Sequence, residues 1–94
     1  MAEIKVRETG AEGNSYGFDV EIVDRGSSTR HRVRVGVADY ESLTGGLITP
    51  RELVEKSFEF LLEREPKESI LSSFDLSVIE KYFRDYPRLI KDYF

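Results

Sequence analysis

Cysteine is absent from these 94 residues. The chain therefore has no disulfide to staple a small fold, no thiol nucleophile and no thiolate metal site. The absence fits a reducing compartment, so a cytoplasmic location is expected. Histidine occurs once, at His31. A lone imidazole needs several carboxylates beside it to hold zinc, and no nucleophile–histidine–acid set can be assembled around this one. Long apolar runs are missing too. None is much longer than Phe60-Leu61-Leu62, whereas a membrane-spanning helix needs about 20 apolar residues. Met1-Ala2-Glu3-Ile4-Lys5 lacks the apolar core of a signal sequence. Gly26-Ser27-Ser28 and Gly45-Gly46 lack the lysine and the spacing of a phosphate-binding loop. The expectation is a protein that is not an enzyme, takes no cofactor and no metal, and does not enter a membrane.

What is present describes a folded chain. Hydrophobic residues make up 39% and charged residues 34%, and the length suits one domain. The net charge of −4 is unevenly placed. Residues 1–37 are balanced, with six basic groups and six acidic ones, so the whole excess of acid lies in residues 38–94. Phosphate backbones require clustered positive charge, so an acidic second half argues against nucleic acid as the general partner.

The hydrophobic period changes at Thr49-Pro50-Arg51-Glu52. Before it, apolar and polar residues alternate. The pattern predicts three strands, at about 3–9, 16–24 and 30–37, separated by the turn signals Gly10–Ser15 and Arg25–Ser28. Connections this short imply antiparallel hairpins. Centring the first hairpin on Gly13 sets Ile4 against Ile22, Lys5 against Glu21, Val6 against Val20 and Arg7 against Asp19. Centring the second on Gly26-Ser27 sets Val20 against Val33, Asp19 against Arg34 and Glu21 against Arg32. Both registers give one apolar face and one face of opposed charges. His31 falls with the valines, opposite Ile22, where a half-buried structural role is expected.

Residues 38–46 read as a connector with one helical turn over 39–43, halted by Gly45-Gly46. Thr49, Pro50 and Glu52 then form a helix start of the capping-box kind. The helix is expected over about 50–65, with Leu53, Val54, Phe58, Leu61 and Leu62 as its apolar stripe. Its opposite face carries Glu52, Glu55, Glu59 and Glu63. Pro66 breaks it. Shorter helices are expected at about 67–73, 76–86 and 87–93, the second opened by Ser77 and Glu80 as another capping box. The fold class is α+β: a three-stranded antiparallel meander with helices packed on one face.

Two surfaces offer themselves for binding. Eight of the eleven aromatic residues lie after the period change. They can complete the core, or Phe60, Tyr82, Tyr86, Tyr93 and Phe94 can form an exposed patch for a protein partner or a second copy. Arg30, Arg32 and Arg34 share one side of one strand, with Lys5 and Arg7 beside them. They can be a solvated face balanced by Asp19 and Glu21, or a surface for an anionic ligand. With Glu3 counted, that face carries two more cations than carboxylates.

Two resemblances bear on these readings. Phe74–Phe83, with the preceding Phe60–Glu68, looks like the tail of a family of small uncharacterised bacterial proteins, which implies no known activity. His31–Val37, then Asp39–Leu43, then Thr49–Glu65 is similar in order to ribbon-helix-helix DNA-binding proteins. That resemblance implies a dimer placing Arg30, Arg32 and Arg34 in the major groove. The leading expectation remains a non-catalytic interaction module whose partner is a protein or a second copy. A DNA-binding regulator is the alternative.

Overall fold

The alternation that predicts strands does produce them. In the computed structural model, which describes residues 2–94, β1 (Glu3–Glu12), β2 (Ser15–Asp24) and β3 (Ser27–Gly36) form an antiparallel meander. The fold class is α+β, as the sequence pattern requires. Val6, Phe18, Val20, Ile22, Val33 and Val35 point to one face and are buried. The odd-numbered charged residues of β1 and β2 and the arginines of β3 point to the other.

The first hairpin has the expected register: Ile4 faces Ile22, Lys5 faces Glu21, Val6 faces Val20 and Arg7 faces Asp19. A bulge between Glu8 and Gly10 absorbs one residue on the way to the turn. The second register differs from expectation by two residues. Asp19 faces Arg32, Val20 faces His31 and Glu21 faces Arg30. The cause is the turn. Its central residues are Arg25 and Gly26, both at positive φ (54° and 80°), which is the two-residue turn whose twist matches the strands it joins. A shift of two keeps every side chain on its face, so the apolar side is unaffected.

β3 runs directly into α1 (Val37–Thr44), which is longer than the single turn the sequence suggests. It stops at Gly45 in the left-handed region, φ 61°. Val37 N–H donates to Asn14 O at 2.7 Å, tying α1 to the first hairpin. α2 (Pro50–Leu62) starts as predicted. Glu52 N–H donates to Thr49 Oγ1 at 3.1 Å and Thr49 N–H to Glu52 Oε1 at 2.9 Å. The hydrogen bond from the Thr49 backbone holds the Glu52 carboxyl below its ordinary range. Leu53, Val54, Phe58 and Leu61 join the buried core with the apolar face of the sheet, while Phe60 is buried against Phe83, Tyr86 and Tyr93. The helix ends three residues before the expected Glu65. Pro66 excludes helical geometry just ahead of it, and Arg64 and Glu65 N–H both close onto Leu61 O.

The C-terminal segment departs most from expectation. Residues 67–73 form no helix beyond a 3₁₀ turn over Lys67–Ser69. A fourth strand, β4 (Ser73–Asp75), follows and pairs parallel to β3, so the sheet is mixed with order β1-β2-β3-β4. The predicted helix over 76–86 shrinks to α3 (Val78–Tyr82). Ser77 does stand at its N-cap, but the expected capping box is not formed: its side chain makes no capping bond, and its N–H donates to Asp75 Oδ1 at 3.0 Å. Phe83 leaves helical geometry and packs edge-on against Phe60, centroids 5.8 Å apart. α4 (Tyr86–Leu89) and a 3₁₀ turn over Ile90–Tyr93 complete the chain. No helix is long and apolar enough to cross a membrane among the described residues.

Candidate partner-binding site

The two candidate surfaces are dismantled and partly rebuilt by this packing. Phe60 and Tyr86 are core residues, 0% and 1% exposed, and cannot belong to an exposed patch. Phe60 is enclosed by Tyr86, Phe83 and Tyr93 at centroid distances of 5.2, 5.8 and 6.1 Å, with the Arg64 guanidinium 3.6 Å from its ring centre. Tyr86 shares a buried hydrogen bond with Ser57 at 2.6 Å, and burial pushes its phenol well above the ordinary range. Tyr93 and Phe94 are half-buried. The Tyr93 hydroxyl donates to Glu63, pinning the C-terminal turn to the end of α2. Tyr82 alone of the five is open, at 69% exposure.

The arginine face is open but balanced. Arg7 pairs with Asp19 at 2.9 Å, Arg32 with the same carboxylate at 3.7 Å, and Arg30 with Glu21 at 3.9 Å. Lys5 turns to Glu3 at 3.5 Å instead of the opposing Glu21. β4 brings Asp75 beside Arg34, and the hairpin brings Glu12 onto the same side. Lys5, Arg7, Arg30, Arg32 and Arg34 thus meet Glu3, Glu12, Asp19, Glu21 and Asp75, so the expected basic excess disappears. Two shallow troughs of about 650 and 630 Å³ cross this face. Neither is lined by an outward-facing aromatic ring on which a base could stack. β3 is also hydrogen-bonded on both edges, by β2 and β4. It has no free edge for the two-stranded ribbon of a ribbon-helix-helix dimer.

His31 faces the core side, 4% exposed, more deeply buried than expected and opposite Val20 instead of Ile22. Its Nδ1–H donates to Leu71 O at 2.6 Å, which fixes the tautomer. Nε2 then accepts from the Thr29 hydroxyl at 2.8 Å. Its ring lies 5.5 Å from that of Phe58. The imidazole is thus a strut between β3 and the segment that leads into β4. Among the described residues no group of three or more histidines and carboxylates is placed to hold a metal ion.

That strut positions a feature absent from the sequence-level candidates. Leu61 near the end of α2 and Glu65 just beyond it, Ser69, Ile70 and Leu71 before β4, Phe74 in β4, and Val78, Ile79, Tyr82 and Phe83 around α3 line a cleft of about 140 Å³. Its walls are mostly apolar, and Glu65 is the one charged residue lining it among the described residues. Leu71 at 47% and Tyr82 at 69% exposure stand at its mouth. Phe74 in its wall packs against the buried Phe58, centroids 6.0 Å apart, so that wall is continuous with the core. No local sequence signal marks it, because the strand beside it, β4, is only three residues long. No family model, curated protein or solved structure matches the chain, so the functional reading rests on this geometry.

Proposed function

We propose that this chain is a non-catalytic protein-binding module of the cytoplasm, and that it docks its partner at the cleft between the end of α2 and α3. The observation that carries the reading is the placement of Leu71 and Tyr82. Two large side chains stand 47% and 69% exposed around a mostly apolar recess whose Phe74 wall packs on the core. Scattered exposed apolar residues are ordinary, but an aromatic and an aliphatic anchor flanking a recess make the arrangement found at binding hot spots. A partner protein fits better than nucleic acid, since the open sheet face has as many carboxylates as cations and the cleft carries only Glu65.

An array of overlapping peptides, probed with the wild-type chain and with a Leu71→Ser/Tyr82→Ser double variant, tests the assignment. Both positions are exposed, so the variant keeps its fold, which its circular dichroism and melting curve verify. The wild type should retain a set of apolar peptides that the variant loses. Retention of the same set by both proteins, or of none by the wild type, would remove the cleft as the docking site.

A further inference from the structure

The cleft lies beside the free edge of the sheet. β4 is the last strand in the order β1-β2-β3-β4. Arg32 N–H donates to Ser72 O and Leu76 N–H donates to Arg34 O, both at 2.8 Å. The even-numbered residues of this segment therefore turn their backbone groups toward β3. Strand alternation turns the N–H and C=O groups of Ser73 and Asp75 outward. No described residue bonds to those four groups. Phe74, on the same short strand, forms part of the cleft wall. A chain laid along this edge would find backbone partners and, on its inner face, the recess.

Charge narrows what that chain is. Glu65 is half-buried in the cleft wall. Its neighbouring cations are engaged elsewhere, Arg64 with Glu63 at 3.5 Å and Lys67 with Glu68 at 2.7 Å. Lys67 holds the Glu68 carboxyl below its ordinary range. Glu65 has no such partner among the described residues. A carboxylate beside apolar walls, without a cation of its own, favours an incoming cation.

Resting on the docking site proposed above, we infer that the partner is an extended segment of another protein that adds as a fifth strand along β4. It sets one apolar side chain in the cleft. Two residues away on the same face, a lysine or arginine meets Glu65. Strand addition of this kind draws affinity from main-chain bonds and specificity from alternate side chains. A second copy of this chain is the less favourable occupant. Its own edge strand β1 alternates Ile4 and Val6 with Lys5 and Arg7, but Arg51 Nε already donates to Val6 O at 3.1 Å and obstructs that edge.

The probes are blocked threonine-based heptapeptides carrying one leucine, with or without an arginine two positions away, titrated into the ¹⁵N-labelled chain. The arginine peptide should shift the cleft amides and slow solvent exchange at Ser73 and Asp75. Methylating the peptide nitrogens that pair with β4 should weaken binding by about tenfold or more. Glu65→Gln should weaken the arginine peptide by about fivefold or more and leave the arginine-free peptide unchanged. Leucine-dependent cleft shifts that ignore both N-methylation and Glu65 would overturn the strand addition and the basic residue while leaving the docking site in place. Silence at the cleft with every peptide would overturn both. Diffusion that slows as the protein alone is concentrated, with shifts at β1 and β4, would overturn the choice of another protein in favour of a second copy.

Discussion

His31 shows how one side chain links core, sheet and candidate site. Its two ring nitrogens are both satisfied inside the molecule, one by Leu71 O and one by Thr29. A buried polar group in this state holds the chain at a definite place, because any other arrangement leaves a donor or acceptor unpaired. Leu71 is thereby presented at the mouth of the cleft instead of folding into it. His31→Leu keeps the volume and the apolar contact with Phe58 but removes the donor to Leu71. It should cost roughly 1–3 kcal/mol in urea unfolding, because it removes both the bond to Leu71 O and the bond from Thr29 and leaves their partners unpaired. The damage should be local. Amide exchange at Arg32 and Leu76, which bond the β4 segment to β3, should accelerate more than exchange in the β1–β2 pairing. A uniform acceleration would mean that His31 supports only global stability.

At the scale of elements, sequence patterns were legible where local physics decides. The alternation of Ile4, Val6, Phe18, Val20, Ile22, Val33 and Val35 specifies the inner face, and Thr49 with Glu52 specifies the start of α2. They were not legible where a distant partner decides. β4 has three residues, too few for periodicity, and exists because β3 offers Arg32 N–H and Arg34 O to it. α3 stops early because Phe83 is drawn onto Phe60, a contact between residues 23 positions apart that no local pattern encodes. The cleft inherits that obscurity, since its walls come from four separate segments. Of the aromatic candidates only Tyr82 belongs to it. The second hairpin turn illustrates a smaller conflict. Arg25 holds φ 54°, a left-handed conformation that an ordinary side chain resists and that asparagine before glycine adopts readily. Arg25 is exposed and forms no ion pair among the described residues, so Arg25→Asn should stabilise the chain by about 0.5–1 kcal/mol. A rise in the urea midpoint at unchanged slope would register it, whereas an unchanged or lower midpoint would count against strain at this turn.

For the whole molecule, the division at Thr49 separates two kinds of surface. The sheet, built mainly from the residues ahead of it, shows solvent a face whose five cations cancel against four carboxylates of its own and Asp75 of β4, held by exposed ion pairs worth about 0–1 kcal/mol each. Behind it, the acidic, ring-rich segment spends most of its rings on the core and leaves Tyr82 outside, beside Leu71 and above an apolar recess. Leu47 offers an internal control. Among the described residues it is the most exposed large apolar side chain, at 81%, yet it does not line the recess. The most direct measurement is therefore a methyl-resolved NMR titration of the intact chain with the leucine-and-arginine peptide. The methyl groups of Leu71, Val78 and Ile79 should move together and saturate along one binding curve, while those of Leu47 stay in place. Movement of Leu47 as well, of the sheet-face residues instead, or of none of these would contradict a docking site between α2 and α3.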